Sequence, residues 1–190
     1  MLYEILKPVA VLLVKLLFRI EIKGKEKIPQ KGGFILASNH LSYLDPIILG
    51  VASPQKLYFL AKKELFTNKL FASLVKRLGA IPLKREKTEV STFKTAIKIL
   101  REDKPLVIFP QGKRSYQINE LKKGVGFLFK KTEVPIIVAK IRGSEKVLPP
   151  GKKFIRLGKI KIKFASLKGV KKEEEIETIC SKLSHQLKSL

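Results

Sequence analysis

The hydrophobic positions along the chain follow two alternating periods. Short runs rich in β-branched residues predict strands, whereas stretches with apolar residues three or four positions apart predict helices. The predicted strands cover residues 34–38, 57–60, 80–83, 106–109, 135–141 and 160–164. The predicted helices cover residues 69–78, 88–101, 121–131 and 173–187. Because the crossovers are long enough for βαβ units, we expect a single α/β domain with a largely parallel or mixed central sheet flanked by helices.

The first 20 residues carry a helical pattern of their own. At about 100° per residue, the leucines and isoleucines share one side of a helix. The charged residues share a narrow sector on the other side: Glu4, Lys7, Lys15 and Arg19. We therefore expect an amphipathic helix over residues 1–20, ahead of a folded domain over residues 21–190. Such a helix either lies in a membrane interface or packs on the protein core, and the pattern leaves both interpretations open.

The N-terminal segment does not have the pattern of a cleaved secretory signal or of a spanning helix. Glu4 comes before the apolar run and Lys15 interrupts it, whereas a signal peptide has a basic start and an unbroken apolar centre. No stretch of about 20 apolar residues exists, as a conventional spanning helix would need. Cys180 is the single cysteine, so no intrachain disulfide is possible and a reducing, cytosolic compartment fits best.

The charge of the chain predicts an anionic partner. The 190 residues include 40 Lys and Arg against 16 Asp and Glu, which gives a formal net charge of +24. Nucleic acid, an anionic membrane and acidic soluble partners all fit such a charge. Lysine greatly outnumbers arginine, which favours diffuse attraction to a surface over bidentate readout of bases. We expect an anionic phospholipid membrane as partner and no nucleic acid, although a nucleic-acid-binding protein stays as the alternative from another class.

A histidine and an aspartate stand at a predicted strand-to-helix turn. The strand over residues 34–38 leads into Asn39 and His40, and Asp45 and Pro46 precede an apolar helical segment. Five positions apart on a regular helix, the two side chains would point about 140° apart, so they can meet only if the loop turns back. Asp45 before Pro46 is also a good helix N-cap, and this structural interpretation stays open beside a catalytic one.

The combination of motifs resembles the 1-acylglycerol-3-phosphate acyltransferase family. Asn39, His40 and Asp45 match the first motif of these glycerolipid acyltransferases, which is Asn-His followed after four residues by Asp. The blocks at residues 79–85, 109–115 and 134–139 match the later motifs in order and spacing. The resemblance covers roughly residues 21–165. It implies the glycerol-3-phosphate acyltransferase-like version of the α/β fold.

The resemblance also implies a reaction. A fatty acyl group would pass from an acyl thioester, carried by acyl carrier protein or coenzyme A, to the free hydroxyl of a lysophospholipid. With 1-acylglycerol-3-phosphate as acceptor, the product would be phosphatidic acid in phospholipid biosynthesis; a different acceptor lipid is the alternative within the family. His40 would be the general base, since imidazole with a pKa of about 6.5 suits that task, and Asp45 would orient it.

Six further residues match positions that bind substrate in the family. They are Lys62, Lys84, Arg85, Gln111, Gly112 and Arg114. The cations would hold the acceptor's phosphate, Arg through two parallel hydrogen bonds. Gln111 departs from the glutamate usual at its position, keeping the shape but losing the charge. The departure affects the identity of the acceptor more than the type of reaction.

No cofactor is expected, and the location follows from the substrate. The sequence has no His, Cys and carboxylate cluster with metal-ligand spacing and no glycine-rich nucleotide loop, so neither a metal nor a bound organic cofactor is predicted. Cys180 falls on an apolar stripe of the last helix, which predicts a core residue and no nucleophile. We expect a monotopic or peripheral enzyme on the cytoplasmic face of the cell membrane.

Overall fold

A computed structural model describes residues 2–62, 66–83, 89–118, 121–149, 151–152 and 154–190. The strands within these residues are β1 (Phe18–Lys23), β2 (Ile35–Ser38), β3 (Tyr58–Lys62), β4 (Ala80–Leu83), β5 (Leu106–Ile108), β6 (Ile136–Arg142) and β7 (Gly158–Ser166). The helices are α1 (Leu2–Leu17), α2 (Asp45–Ala52), α3 (Lys69–Arg77), α4 (Glu89–Arg101), α5 (Gly124–Thr132), α6 (Ser144–Val147) and α7 (Ile176–Ser189). The predicted strands and helices therefore all exist, with ends shifted by a few residues.

The strands form one mixed sheet, as predicted. Its order is β1-β7-β6-β2-β5-β3-β4. Among the described strand pairs, β6 and β7 run antiparallel and the others run parallel. The central strand β2 is buried along its whole length. A continuous apolar run of this kind is typical of parallel strands that are covered by helices on both faces.

Each face of the sheet has its own hydrophobic core. Leu36 of β2 packs into the core beneath α1 and α2, which includes Val14 and Leu49. Its neighbours Ile35 and Ala37 face the opposite core, which is covered by α4, α5 and α7. The alternation follows the period of two along a strand. Helices on both faces leave the ends of the strands as the places where loops meet.

We call the edge of the sheet at which β2 ends the upper edge. The antiparallel direction of β7 determines which chain segments lie at this edge. The parallel strands β2, β5 and β6 all end there. Since β7 is antiparallel to β6, β7 begins at this edge, and β1 begins beside it with Phe18 paired to Gly158. The C-terminal end of α1 therefore reaches the same edge as the turn that follows β2.

The N-terminal helix is shorter than predicted. It ends at Leu17, and residues 18–20 belong to β1, a strand that the sequence analysis missed. The segment Phe18–Lys23 alternates apolar and charged residues, so it has the period of a strand. The predicted helix extended to residue 20 because the first apolar residues of this strand also continue the apolar stripe of the helix. The sheet decided between the two periods by pairing these residues with β7.

Helix α1 is apolar on two sides. One side packs on the protein through the buried Val14, and Lys7 on this side donates hydrogen bonds from Nζ to the carbonyls of Ser53 (2.9 Å) and Pro54 (3.0 Å). Lys7 therefore faces the protein, where its ammonium binds carbonyls just beyond the C-terminal end of α2, although the pattern grouped it with Glu4, Lys15 and Arg19. The other side exposes apolar residues at helical spacing: Val9, Leu12, Leu13, Leu16 and Leu17.

The described helices can be compared with the requirements for crossing a membrane. Within the described residues, none of the helices combines the length and the apolar character that crossing a bilayer requires. The exposed stripe of α1 is instead a lateral apolar surface.

Two neighbouring residues should separate the packed side of this segment from its exposed side. Phe18→Ala should lower the free energy of unfolding by about 3–5 kcal/mol, because it empties a site in the core. Leu16→Ala should change it by no more than about 0.5 kcal/mol, because the side chain is 71% exposed. Urea unfolding followed by circular dichroism measures both. A large loss with Leu16→Ala would show that the stripe packs on the protein.

Candidate active site

The turn after β2 is folded around one carboxylate. Oδ2 of Asp45 accepts hydrogen bonds from Nδ1 of His40 (2.8 Å) and from the backbone N–H groups of Leu41 (2.6 Å) and Ser42 (2.8 Å). Asp45 is completely buried, whereas the His40 side chain is 19% exposed. The loop thus turns back as a His–Asp pair requires, and the imidazole stays accessible.

These contacts decide the role of Asp45 in the local fold. Helix α2 begins at Asp45 itself, Leu44 is its N-cap residue, and Pro46 occupies the first turn. The carboxylate of Asp45 bonds to the turn that precedes the helix and does not cap the helix N–H groups. The N-cap interpretation is therefore wrong.

The imidazole of His40 is held in a defined tautomer and orientation. An ionised carboxylate can only accept hydrogen bonds, so Nδ1 carries the proton toward Asp45 and Nε2 keeps its lone pair. The ring stacks on Phe109, with centroids 4.1 Å apart and planes inclined by 21°. This arrangement suits a base that takes a proton at Nε2.

Gln111 connects the loop after β5 to the backbone of His40. Its Oε1 accepts a hydrogen bond from the His40 N–H at 2.8 Å. Its Nε2 donates to the carbonyls of Ser115 (2.6 Å) and Gln117 (2.8 Å). The Ser115 N–H in turn donates to the His40 carbonyl at 3.0 Å. Gln111 is thus a buried support for His40, and its amide hydrogens are already used within the protein.

The chemistry of these partners explains why the neutral amide fits here. A glutamate at position 111 could still accept the His40 N–H, but its second oxygen would face two carbonyl oxygens. The partners also assign the orientation of the amide, since a backbone N–H only donates and a carbonyl only accepts. The departure from the family's usual glutamate is therefore accommodated by the path of residues 109–117.

Gly112 and Arg114 complete the part of the loop that reaches the turn. Gly112 has φ +69°, and a Cβ there would lie 2.4 Å from the Lys122 side chain, so the loop needs glycine. The guanidinium carbon of Arg114 lies 3.6 Å from the ring centroid of Tyr43, a residue of the His40–Asp45 turn. Arg114 is thus placed beside the turn through a cation–π contact.

Three further cations were predicted to bind substrate, namely Lys62, Lys84 and Arg85. Lys62 ends β3, so its backbone lies at the upper edge with His40. Lys84 and Arg85 lie outside the described residues, and so their predicted role stays a prediction. The structure therefore brings His40, Asp45, Gln111, Gly112 and Arg114 into one region at the upper edge.

Three residues that help to build this region had no predicted role, namely Asn39, Phe109 and Tyr43. The Asn39 side chain donates to the Ile141 carbonyl (2.8 Å) and accepts from the Ile141 N–H (2.7 Å), which joins the end of β2 to β6. Phe109 and Tyr43 supply the ring contacts to His40 and Arg114. All three belong to the motif blocks, but the pattern of residues could not show which partners they face.

Cys180 has the position that the sequence predicted. It lies in α7 with 8% of its surface exposed, and burial raises the pKa of its thiol. A buried thiol with a raised pKa is a poor nucleophile. Cys180 is a core residue.

The chain is similar in sequence to known acyltransferases. The model of a family described as "Acyltransferase" matches residues 19–142. The chain is 35% identical over 144 residues to the 1-acyl-sn-glycerol-3-phosphate acyltransferase of Bacillus subtilis, covering 75% of this chain and 70% of that protein. It is 31% identical over 173 residues to the protein of the same name from Streptococcus pneumoniae, covering 87% of this chain and 63% of that one. The chain belongs to the 1-acylglycerol-3-phosphate acyltransferase family.

A solved structure shows the same fold. The crystal structure of the 1-acyl-sn-glycerophosphate acyltransferase from Thermotoga maritima superposes with a TM-score of 0.78 at 24% identity, covering 98% of this chain and 78% of that chain. The predicted acyltransferase fold is therefore confirmed. Membership of the family also confirms the prediction that the chain is an O-acyltransferase.

The role of Gln111 as a neutral clamp in this acyltransferase can be tested by changing one atom. Gln111→Glu should lower the free energy of unfolding by about 1–3 kcal/mol, because a buried carboxylate would face the carbonyls of Ser115 and Gln117. Gln30→Glu makes the same change at an exposed position and should have little effect. Urea denaturation measures both variants. Equal stability of the two would contradict the clamp.

Proposed function

We propose that this enzyme transfers a fatty acyl group from an acyl thioester to the free hydroxyl of 1-acylglycerol-3-phosphate, forming phosphatidic acid in phospholipid biosynthesis. The observation that carries the mechanism is the 2.8 Å contact between Nδ1 of His40 and Oδ2 of Asp45, at an imidazole that solvent can reach. The names of the relatives from Bacillus subtilis and Streptococcus pneumoniae support this choice of substrate.

In this proposal, His40 activates the acceptor. Its Nε2 takes the proton from the acceptor hydroxyl as the oxygen attacks the thioester carbonyl, and the new C–O bond forms. Asp45 stabilises the imidazolium that results. Collapse of the tetrahedral intermediate breaks the C–S bond, and the proton on Nε2 passes to the departing thiolate. His40 is then neutral again, and no covalent acyl-enzyme is needed.

Arg114 is the described residue best placed to bind the acceptor's phosphate. Its guanidinium lies over the Tyr43 ring, so a face of the planar group is occupied and the N–H edges stay available for two parallel hydrogen bonds. We assign additional phosphate contacts to Lys62, Lys84 and Arg85 from the family resemblance. Gly112 would let the loop backbone approach the ligand.

The acyl donor would be acyl carrier protein or acyl-coenzyme A. Both are anionic, and the net charge of +24 would attract either one. Mass spectrometry of the products formed with each donor and a panel of lysolipids tests the donor and the acceptor together.

We also propose that the enzyme works as a monotopic or peripheral protein on the cytoplasmic face of the cell membrane. The exposed stripe of α1 has the width and spacing of an interfacial helix. A membrane location would let the lipid acceptor enter without moving its acyl chain through water, which costs about 0.8 kcal/mol per CH₂.

Variants of the His–Asp pair test the mechanism. His40→Ala should lower turnover by about 10²–10⁴-fold, because the general base is lost. Asp45→Asn should also lower turnover, by a similar order, since an amide can accept the turn's N–H groups but cannot stabilise an imidazolium. Initial rates and thermal unfolding should be measured together. A folded His40→Ala variant with normal turnover would remove His40 from the mechanism.

The Arg114–Tyr43 contact predicts selectivity for phosphate. Arg114→Gln should raise the KM for 1-acylglycerol-3-phosphate by about tenfold or more, while the rate with uncharged monoacylglycerol should change little. Tyr43→Leu should weaken phosphate selectivity in the same direction, because it removes the ring that orients the guanidinium. Tyr43→Phe is the matched control and should retain selectivity, since it keeps the aromatic face. Equal losses with both acceptors would refute a specific phosphate contact.

A further inference from the structure

The segment just before β7 exposes a cluster of apolar side chains. Phe154 is 86% exposed, Ile155 51% and Leu157 79%, and the exposed Arg156 lies among them. We call residues 154–157 the apolar loop. Three large apolar side chains at such exposure within four residues are typical of a surface that binds a protein or a membrane.

The apolar loop is held in place by the body of the protein. The N–H of Arg156 donates to the carbonyl of Val147 at 2.8 Å, and Val147 is buried. The next residue but one, Gly158, pairs with Phe18 at the start of β7, and a Cβ on Gly158 would lie 2.9 Å from the Val147 side chain. The backbone therefore anchors this segment while its apolar side chains project outward.

The sheet places the apolar loop next to the end of α1. Leu157 precedes Gly158 and Leu17 precedes Phe18, and these two strand residues are parallel partners. The backbone of α1 therefore enters the sheet beside the backbone of the loop, and Leu16, Leu17 and Leu157 near this junction are all exposed. The loop and the end of α1 both stand at the upper edge, the edge at which β2 leads into His40.

Exposed cations accompany this combined patch. They lie on α1, on β1, within the apolar loop and on either side of it: Lys15, Arg19, Lys152, Arg156 and Lys159, of which Lys159 also pairs with Glu21 at 3.0 Å. An apolar centre with a basic rim complements an anionic bilayer, in which acyl chains lie beneath negatively charged headgroups.

We propose that the apolar loop inserts into an anionic phospholipid bilayer as a second contact beside α1. One helix alone would leave the protein free to turn about the helix axis, whereas two linked contacts determine its orientation and strengthen binding. The upper edge would then face the lipid, with His40 close to the acceptor. The inference rests on the proposed function only in taking the acceptor from that bilayer.

Fluorescence can locate the loop directly, because the chain has no tryptophan. In Phe154→Trp, the single indole should shift its emission to shorter wavelength when vesicles of phosphatidylglycerol and phosphatidylcholine are added, and brominated acyl chains should quench it. Gln30→Trp is the matched control, since residue 30 is exposed before β2 at the opposite edge. Its emission should not change. An unchanged emission of Phe154→Trp on vesicles that sediment the protein would overturn the proposal.

Self-association is the other outcome to separate. If the emission of Phe154→Trp shifts with protein concentration in the absence of vesicles, and vesicles add nothing, the apolar loop binds a second copy of the chain and the proposal is wrong.

A double variant links insertion to activity. Phe154→Ser with Leu157→Ser should reduce the fraction bound to anionic vesicles by about tenfold or more, without changing thermal unfolding. The rate with vesicle-embedded acceptor should fall in parallel. The rate with a short-chain acceptor below its critical micelle concentration should stay the same. Undiminished vesicle binding by this folded variant would contradict a role of the loop.

The fluorescence measurement and the acylation assay test this inference separately from the proposed function. If the unaltered protein acylates neither acceptor, the proposed function fails, yet the emission of Phe154→Trp still decides whether the loop inserts. If acylation proceeds but the indole stays in water, the proposed function stands and the second contact is refuted.

Discussion

The buried carboxylate of Asp45 organises the region on which the chemistry depends. Its Oδ2 accepts hydrogen bonds from the N–H groups of Leu41 and Ser42, so the chain closes into a turn directly after β2. The same oxygen accepts a hydrogen bond from Nδ1 of His40, so the closing of the turn also orients the imidazole that we propose as the general base. The three hydrogen bonds all reach Oδ2, whereas the buried Oδ1 has no hydrogen-bond partner among the described residues.

The rest of the upper edge holds His40 from its other sides. Asn39 joins the end of β2 to Ile141 of β6, and Gln111 joins the loop after β5 to the His40 N–H. Phe109 covers a face of the ring. These groups come from strands that run parallel and end together, which is why loops distant in the sequence can converge on one imidazole. The imidazole is thus held in one orientation, which would favour proton transfer in the mechanism that we propose.

The antiparallel pairing of β6 with β7 gives this edge its second property. Because β7 reverses against β6, the start of β1 and the end of α1 arrive beside the carboxyl ends of the central strands. The exposed leucines of α1 and the apolar loop are consequently on the same edge as the His–Asp pair. Apolar surface and the His–Asp pair thus share one edge of the sheet, an arrangement that suits the proposed acceptor with its fatty chain and phosphate.

The sequence by itself determined the alternation of strands and helices, since periodicity is a property of neighbouring residues. It left open whether the sheet was largely parallel or mixed, and it implied the pairing of His40 with Asp45 only through the family resemblance. It could not choose between helix and strand at residues 18–20, because both periods fit there and only pairing with β7 decided. Likewise, the pattern grouped Lys7 with the other charged residues of the N-terminal helix, and the family resemblance implied a substrate contact for Gln111. Their actual partners, Ser53 and the carbonyls of 115 and 117, became neighbours only through tertiary packing, because a hydrogen bond between segments depends on where the fold brings their backbones.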